Sequence, residues 1–128
     1  MKTVFAVDDN DTNLFVVEEA LCKQYSVYTM PSAEKMFYLL EKITPNLILL
    51  DIDMPVMNGL STLEKLKSTK WAFIPVIFLS ASENETYEVT GLESGAVDYI
   101  AKPFSTPILM SRVKKRIKEF YFDESRHI

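Results

Sequence analysis

The 128-residue sequence has one cysteine, one histidine and three glycines, and it has no long apolar run. A single cysteine, Cys22, cannot form an internal disulfide, which is typical of proteins from a reducing compartment. The scarcity of glycine, with 48% hydrophobic and 25% charged residues, excludes a fibrous or disordered chain and favours a globular one. No segment approaches the apolar length of a membrane span or of a signal-peptide core. We therefore expect a single-domain cytoplasmic protein that does not contact a membrane.

The net charge of −4 argues against a general affinity for nucleic acid, because such binding needs a concentrated cationic surface. Cations are concentrated only in the run RVKKRIK, residues 112–118. Lysine and arginine are favoured near the carboxyl end of a helix, so the simplest interpretation of this run is a solvated helix face. We therefore expect no direct binding of nucleic acid.

Short apolar runs alternate with segments of helical periodicity along the chain. The apolar runs are TVFAV (3–7), SVYTM (26–30), LILLD (47–51), PVIFLS (75–80) and DYIA (98–101). Several are apolar almost throughout, which is typical of parallel strands that are covered on both faces. Apolar residues at helical spacing predict helices around 14–21, 36–43, 60–66 and 109–120. A fourth helix, at 84–94, is predicted to be the weakest, because the segment is polar and contains Gly91. Five such β/α units predict a parallel sheet with helices on both faces.

Polar residues stand at the carboxyl ends of four predicted strands, where parallel sheets bind their ligands. They are Asp8 and Asp9 after the first strand, Asp51 and Asp53 at the third, Ser80 at the fourth, and Lys102 with Pro103 after the fifth. Because the carboxyl ends of parallel strands share one edge of the sheet, these side chains are expected to converge there.

Three carboxylates in one pocket repel one another, and a divalent cation removes the conflict. Mg²⁺ suits Asp8, Asp9 and Asp51, because it is a hard ion that takes oxygen ligands from a few carboxylates and keeps several waters. An ionised aspartate at such a site can attack phosphorus and form an aspartyl phosphate. Ser80 can donate a hydrogen bond to a phosphoryl oxygen, and Lys102 can pair with another.

The set VDDN, LLDIDMPVMNG, LSA and DYIAKPF, in this order and spacing, resembles the receiver domain of two-component response regulators. The resemblance implies a receiver domain at residues 1–122, followed by a short tail or the start of a linker at 123–128. It also implies the flavodoxin-like, CheY-like α/β fold, with five helices and strand order 2-1-3-4-5.

The resemblance assigns roles to the four aspartates by their positions in the motifs. Asp51 matches the phospho-acceptor, Asp9 matches a direct metal ligand, and Asp8 matches an acid that acts largely through water. Asp53 matches the position that offers its backbone carbonyl to Mg²⁺, so it is expected to tune the site rather than to react.

The same resemblance assigns the response to phosphorylation. Ser80 and Lys102 match the phosphate-sensing hydroxyl and the phosphate-pairing lysine, and Tyr99 matches the switch aromatic, which turns inward. Pro103 is expected to follow a cis peptide bond. The surface formed by the fourth helix, the fifth strand and the fifth helix is then expected to change.

The function implied is that of a phosphoacceptor signalling domain, not a turnover enzyme. A sensor histidine kinase or a histidine phosphotransfer protein of a phosphorelay would supply the phosphoryl group to Asp51, with Mg²⁺. An output domain or a separate protein would receive the signal, and the domain would be a monomer or a phosphorylation-linked dimer.

Alternative interpretations remain open from the residues alone. Asp51 and Asp53 also fit the Asp, any residue, Asp pair of haloacid dehalogenase phosphatases, although that family places the pair after its first strand. A degenerate receiver could serve only as an interaction module, but the intact acids, Ser80 and Lys102 count against it. The acidic pair could simply precede the first helix, with Asp11 or Thr12 as its cap.

Overall fold

A computed structural model describes residues 1–81 and 93–126 of the protein, with only the backbone described from residue 122 onward. Within these ranges the chain forms five strands and four helices. The strands are β1 (Thr3–Val7), β2 (Ser26–Met30), β3 (Leu47–Asp51), β4 (Val76–Ala81) and β5 (Asp98–Lys102). The helices are α1 (Asp11–Leu21), α2 (Ala33–Leu40), α3 (Gly59–Lys67) and α4 (Thr106–Arg126).

Each of the five predicted strands is present, and each lies within one residue of its predicted bounds. The helix predicted at 84–94 falls mainly on residues 84–92, which lie outside the described residues. The other predicted helices are present, and α4 continues to Arg126, past the domain end predicted at residue 122. In the part of the chain that the structure describes, no helix combines the length and the apolar character needed to cross a membrane.

The strands form one parallel sheet in the order β2-β1-β3-β4-β5, which confirms the predicted doubly wound fold. Val4 of β1 pairs with Val27 of β2 on one side and with Leu47 of β3 on the other. All five residues of β3 are buried, because helices cover both faces of the sheet. This burial explains why the LILLD run is apolar up to its final aspartate.

Two apolar clusters cover the two faces of the sheet. One contains Ile48 and Leu50 and lies under α2 and α3. The other contains Leu47 and Leu49 and lies under α1 and α4. Burial of each leucine or isoleucine side chain contributes about 1.5–3 kcal/mol, so β3 is held firmly from both faces. The strand thereby fixes the position of its last residue, Asp51.

Asparagine side chains start two of the helices next to the polar edge of the sheet. Asn10 caps α1 and accepts a hydrogen bond from the N–H of Asn13 at 3.0 Å. The prediction that Asp11 or Thr12 caps this helix was wrong, because Asn10 is the last extended residue and the helix already begins at Asp11. Asn58 caps α3 in the same way. α1 begins four residues after the end of β1, and α3 begins eight residues after the end of β3.

Gly59, the first residue of α3, lies directly against the chain that leaves β3. Its N–H donates to the carbonyl of Ile52 at 2.9 Å. A β-carbon at this position would lie 2.5 Å from the carbonyl oxygen of Asp51 and 2.7 Å from the α-carbon of Ile52. Glycine is therefore required here, because the two stretches of backbone are in direct contact.

Candidate functional site

The carboxyl ends of β1, β3 and β5 bring three charged side chains to one edge of the sheet. Asp8 directly follows β1, Asp51 ends β3, and Lys102 ends β5. One carboxylate oxygen from each of Asp8, Asp9 and Asp51 lies within 4.8 Å of the other two. Asp8 and Asp51 are buried, whereas Asp9 is exposed. The cluster is thus open to solvent on the side of Asp9.

Lys102 lies between the two buried carboxylates. Its Nζ donates to Oδ1 of Asp51 at 2.7 Å and lies 3.2 Å from Oδ2 of Asp8. The lysine side chain is 18% exposed, and the side chains of Asp8 and Asp51 are 0% and 1% exposed. Charges buried to this degree are stable only when they are paired and hydrogen-bonded, so the ammonium compensates both acids.

Further donors fix the orientation of the two buried carboxylates. Asp8 accepts the N–H of Asn10 on Oδ1 at 3.0 Å and the side-chain amide of Asn13 on Oδ2 at 3.2 Å. Asp51 accepts the N–H of Asp53 on Oδ1 at 3.1 Å. Asp53 therefore contacts Asp51 through its backbone N–H, and Asp53 is exposed to solvent.

The protonation of Asp51 and Lys102 follows from burial and from their pairing. Burial, aided by the negative charge of Asp8, raises the pKa of Asp51 to about 6, although the hydrogen bond from Lys102 opposes the change. Burial would lower the pKa of Lys102, but its hydrogen bond and attraction to Asp51, together with the charge of Asp8, outweigh this and raise it. The lysine is therefore charged at neutral pH.

The donor set of the site fits a hard divalent cation. Asp8, Asp9 and Asp51 offer carboxylate oxygens, which Mg²⁺ prefers over nitrogen or sulfur ligands. Three carboxylates against the one ammonium of Lys102 leave two negative charges in excess when all are ionised. A single divalent cation would balance that excess.

The raised pKa of Asp51 predicts how stability depends on pH. The folded protein holds the Asp51 proton up to about pH 6, whereas the unfolded chain releases it near the ordinary value of 3.8. Between these values the folded state binds more protons, so the contribution of this group to the free energy of unfolding falls as pH rises. Asp51→Asn should therefore be more stable than wild type at pH 7, by about 1–3 kcal/mol, and nearly equal at pH 4.

Urea unfolding of both proteins in Mg²⁺-free buffer at pH 4 and pH 7 would measure this difference. Comparison with the variant removes the contribution of the titrating groups that do not interact with Asp51. Equal free energies of unfolding for wild type and Asp51→Asn at both pH values would contradict the prediction that the buried Asp51 carboxylate is destabilising.

Ser80 lies on β4, Tyr99 on β5, and Pro103 directly after β5. Ser80 is 3% exposed, and its hydroxyl donates to the carbonyl oxygen of Ala81 at 3.1 Å. Tyr99 lies on β5 and is half-buried. The Lys102–Pro103 peptide bond is cis, the isomer expected at this position.

Two arginines of α4 contact β5, so their side chains do not face only solvent. The guanidinium carbon of Arg112 lies 5.5 Å from the ring centroid of Tyr99, and the same side chain donates to the Tyr99 carbonyl. Arg116 Nε donates to Oδ2 of Asp98 at 3.3 Å. The interpretation of residues 112–118 as a solvated face holds for Lys114, Lys115 and Lys118, which are exposed. It is wrong for Arg112 and Arg116, which attach the helix to β5.

Sequence reasoning missed the contributions of Asn13 and Arg112 to this region. The only signal for Asn13 was a polar residue in the first turn of the helix that follows the acidic pair. Arg112 was hidden in a run of five cations whose individual directions the sequence does not contain. Asn13 contacts Asp8 at the start of the same β/α unit, and Arg112 contacts Tyr99 on the neighbouring strand. Only the three-dimensional arrangement reveals which side chain each one meets.

Comparisons with known proteins agree with this geometry. Residues 4–114 match the family described as "Response regulator receiver domain". The chain is 34% identical over 132 residues to a "Probable cyclic di-GMP phosphodiesterase" of Vibrio cholerae serotype O1, which covers 98% of this chain and 30% of that protein. It is 33% identical over 127 residues to a "Probable transcriptional regulator ycf27" of Galdieria sulphuraria, covering 97% of this chain and 49% of that protein.

A solved structure is similar over almost the whole chain. The crystal structure of a response regulator receiver domain protein (CheY-like) from Methanospirillum hungatei JF-1 has a TM-score of 0.87 and 27% sequence identity. The similarity covers 96% of this chain and 98% of that one. The chain spans less than half the length of the two curated relatives, 30% of one and 49% of the other.

Proposed function

The chain belongs to the response regulator receiver domain family, and on that basis we propose that Asp51 accepts a phosphoryl group from a phosphohistidine. The donor would be a sensor histidine kinase or a histidine phosphotransfer protein. The observation that most supports this proposal is the position of Asp51, buried at the end of β3 and bonded to Lys102 at 2.7 Å. Transfer of label from a phosphorylated histidine phosphotransfer protein to this chain would test it directly.

The four aspartates divide between the metal and the reaction. Asp9, Asp51 and the backbone carbonyl of Asp53 would hold Mg²⁺, with Asp8 acting largely through water. Both oxygens of Asp8 already accept protein hydrogen bonds, which supports the indirect role for this residue. When bound, Mg²⁺ supplies positive charge that neutralises the carboxylates and the phosphoryl oxygens.

The hydrogen bonds of Asp51 favour one of its oxygens as the nucleophile. Lys102 and the N–H of Asp53 both donate to Oδ1, which fixes the rotation of the carboxylate. In the proposed step a bond forms between Oδ2 and phosphorus while the P–N bond of the donor breaks. The electron pair of that bond returns to the imidazole nitrogen of the donor.

The response would begin with Lys102 and Ser80. A phosphoryl group adds about 1.5–2 negative charges and strong acceptor oxygens, which attract the ammonium and the hydroxyl. Tyr99 would then turn inward. The surface formed by β5, by α4 (the predicted fifth helix) and by the helix predicted at 84–94 would change. Such a change is a shift between two states, driven by their different affinity for the phosphoryl group.

We predict that Lys102→Ala still accepts phosphate but no longer transmits the change, because Asp51 and the metal site remain. Ser80→Ala should behave similarly but more mildly, since it loses one neutral hydrogen bond instead of a charge. Amide chemical shifts of β5 and α4, recorded before and after phosphorylation, would measure the response. If both variants responded as fully as wild type, these two residues could not be the relay.

The proposal extends to partners and surroundings. We propose a signalling module without turnover, a monomer or a phosphorylation-linked dimer, located in the cytoplasm and passing its signal to an output domain or protein. The longer relatives, of which the chain spans 30% and 49%, are consistent with receivers joined to further domains. The domain limit at residue 122 also stays a prediction.

A phosphatase that uses Asp51 and Asp53 has less support. Asp53 is exposed, and its hydrogen bond to Asp51 uses the backbone N–H instead of the carboxyl group that a general acid would use. Sustained hydrolysis of a small phosphomonoester by the wild-type chain would favour the phosphatase instead.

A further inference from the structure

Asp8 is buried, and its carboxylate is held by three donors. Oδ1 accepts the N–H of Asn10 at 3.0 Å, whereas Oδ2 accepts the amide of Asn13 at 3.2 Å and lies 3.2 Å from Nζ of Lys102. Two of these donors belong to the protein's first helix turn and its cap, and the third is at the end of β5. The two side-chain donors thus share one oxygen.

The two donors on Oδ2 have different fates if the proposed function holds. On the proposed function, Lys102 would leave Asp8 for the phosphoryl group. Asn13 would then remain as the side-chain donor to Oδ2. A buried carboxylate that loses its donors is costly, so this amide would keep Asp8 in place while the lysine moves.

Asn13 is well placed to act as a fixed support. It lies in the first turn of α1, is half-buried, and its own N–H is bonded to the side chain of Asn10 at 3.0 Å. A donor on a capped helix holds its partner more accurately than a donor on a loop. The amide is also neutral, so it orients Asp8 without changing the excess charge that attracts a cation.

We propose that Asn13 is a positioning residue that sets the affinity of the site for Mg²⁺ by holding the carboxylate of Asp8. Removing the hydrogen-bond partner of a carboxylate that binds a metal directly commonly weakens metal binding by about 10–100-fold, and for Asp8, which acts through water, we expect the lower end of that range. Asn13→Ala should therefore raise the dissociation constant for Mg²⁺ by about tenfold. Isothermal titration of the unphosphorylated chain with MgCl₂ would measure it.

Ala20→Gly provides the matched control, because it weakens the same helix by about 1 kcal/mol near its far end and keeps every donor to Asp8. This variant should melt at a lower temperature than wild type and bind Mg²⁺ with unchanged affinity. Asn13→Leu, which keeps the shape of the side chain without the donor, should repeat the loss seen with Asn13→Ala.

Two outcomes would overturn the proposal. One is a dissociation constant for Asn13→Ala and Asn13→Leu within twofold of wild type. The other is an equal weakening in Ala20→Gly, which would assign the effect to helix stability. Labelling of wild type by acetyl phosphate is measured separately, so failure of Asp51 to accept phosphate would be distinguished from failure of the Asn13 assignment.

Discussion

Asp51→Asn should abolish the uptake of phosphate from acetyl phosphate, whereas wild type with Mg²⁺ should gain one phosphoryl group. The asparagine amide is not a nucleophile, and Asp51 is the buried carboxylate that both Lys102 and the acidic pair surround. Loss of a covalent nucleophile leaves no route to the intermediate, so we expect labelling to fall by at least about 100-fold, to background. Intact-protein mass spectrometry would measure the added phosphate.

Asp53→Asn is the matched control for this experiment. It keeps the backbone N–H that donates to Asp51 and changes only an exposed side chain. Labelling should persist in this variant and should stop in wild type when Mg²⁺ is chelated. Labelling of Asp51→Asn, or complete loss of labelling in Asp53→Asn, would show that Asp51 is not the acceptor residue.

Gly59→Ala should destabilise the fold more than any surface substitution in α3. The added carbon would lie 2.5 Å from the Asp51 carbonyl oxygen and 2.7 Å from the Ile52 α-carbon, both backbone atoms that cannot rotate away. Overpacking of this kind costs about 1–3 kcal/mol or more, and the required shift would displace the acceptor strand. Urea unfolding would measure the loss of stability, and acetyl phosphate labelling should be slower.

Ser61→Ala, an exposed position two residues further along α3, separates this contact from a change in the helix itself. Its cap bond to Asn58 uses the backbone N–H, which the substitution keeps. We expect its stability to lie within about 0.5 kcal/mol of wild type. Equal unfolding midpoints for Gly59→Ala and Ser61→Ala would show that the close approach is easily relieved.

The strands could be predicted from sequence because burial on both faces leaves a clear record in the residues. LILLD is the plainest case: all five of its residues are buried, and only its terminal aspartate departs from apolar chemistry. The order of the strands came from the resemblance, and the sheet confirms it. Burial is a property of single residues, which is why a sequence can express it.

Side-chain partners could not be predicted in the same way, because they depend on distances across the fold. Lys102 was expected to pair with a phosphoryl group, and in the structure it pairs with Asp51 and Asp8, since a buried ammonium needs partners. The cap of α1 was predicted wrongly for a different reason. Asn10, Asp11 and Thr12 are all suitable caps by type, and only the backbone conformation selects Asn10.

The order of the strands places the reacting residue on an interior strand and the responding residue on an edge strand of the described sheet. Asp51 ends β3, which is hydrogen-bonded to β1 on one side and to β4 on the other. Lys102 ends β5, which among the described strands is bonded to β4 alone. Displacing an edge strand breaks one ladder of hydrogen bonds, whereas displacing an interior strand breaks two. Lys102 can therefore move together with the end of β5 while the backbone of Asp51 keeps its position in the sheet.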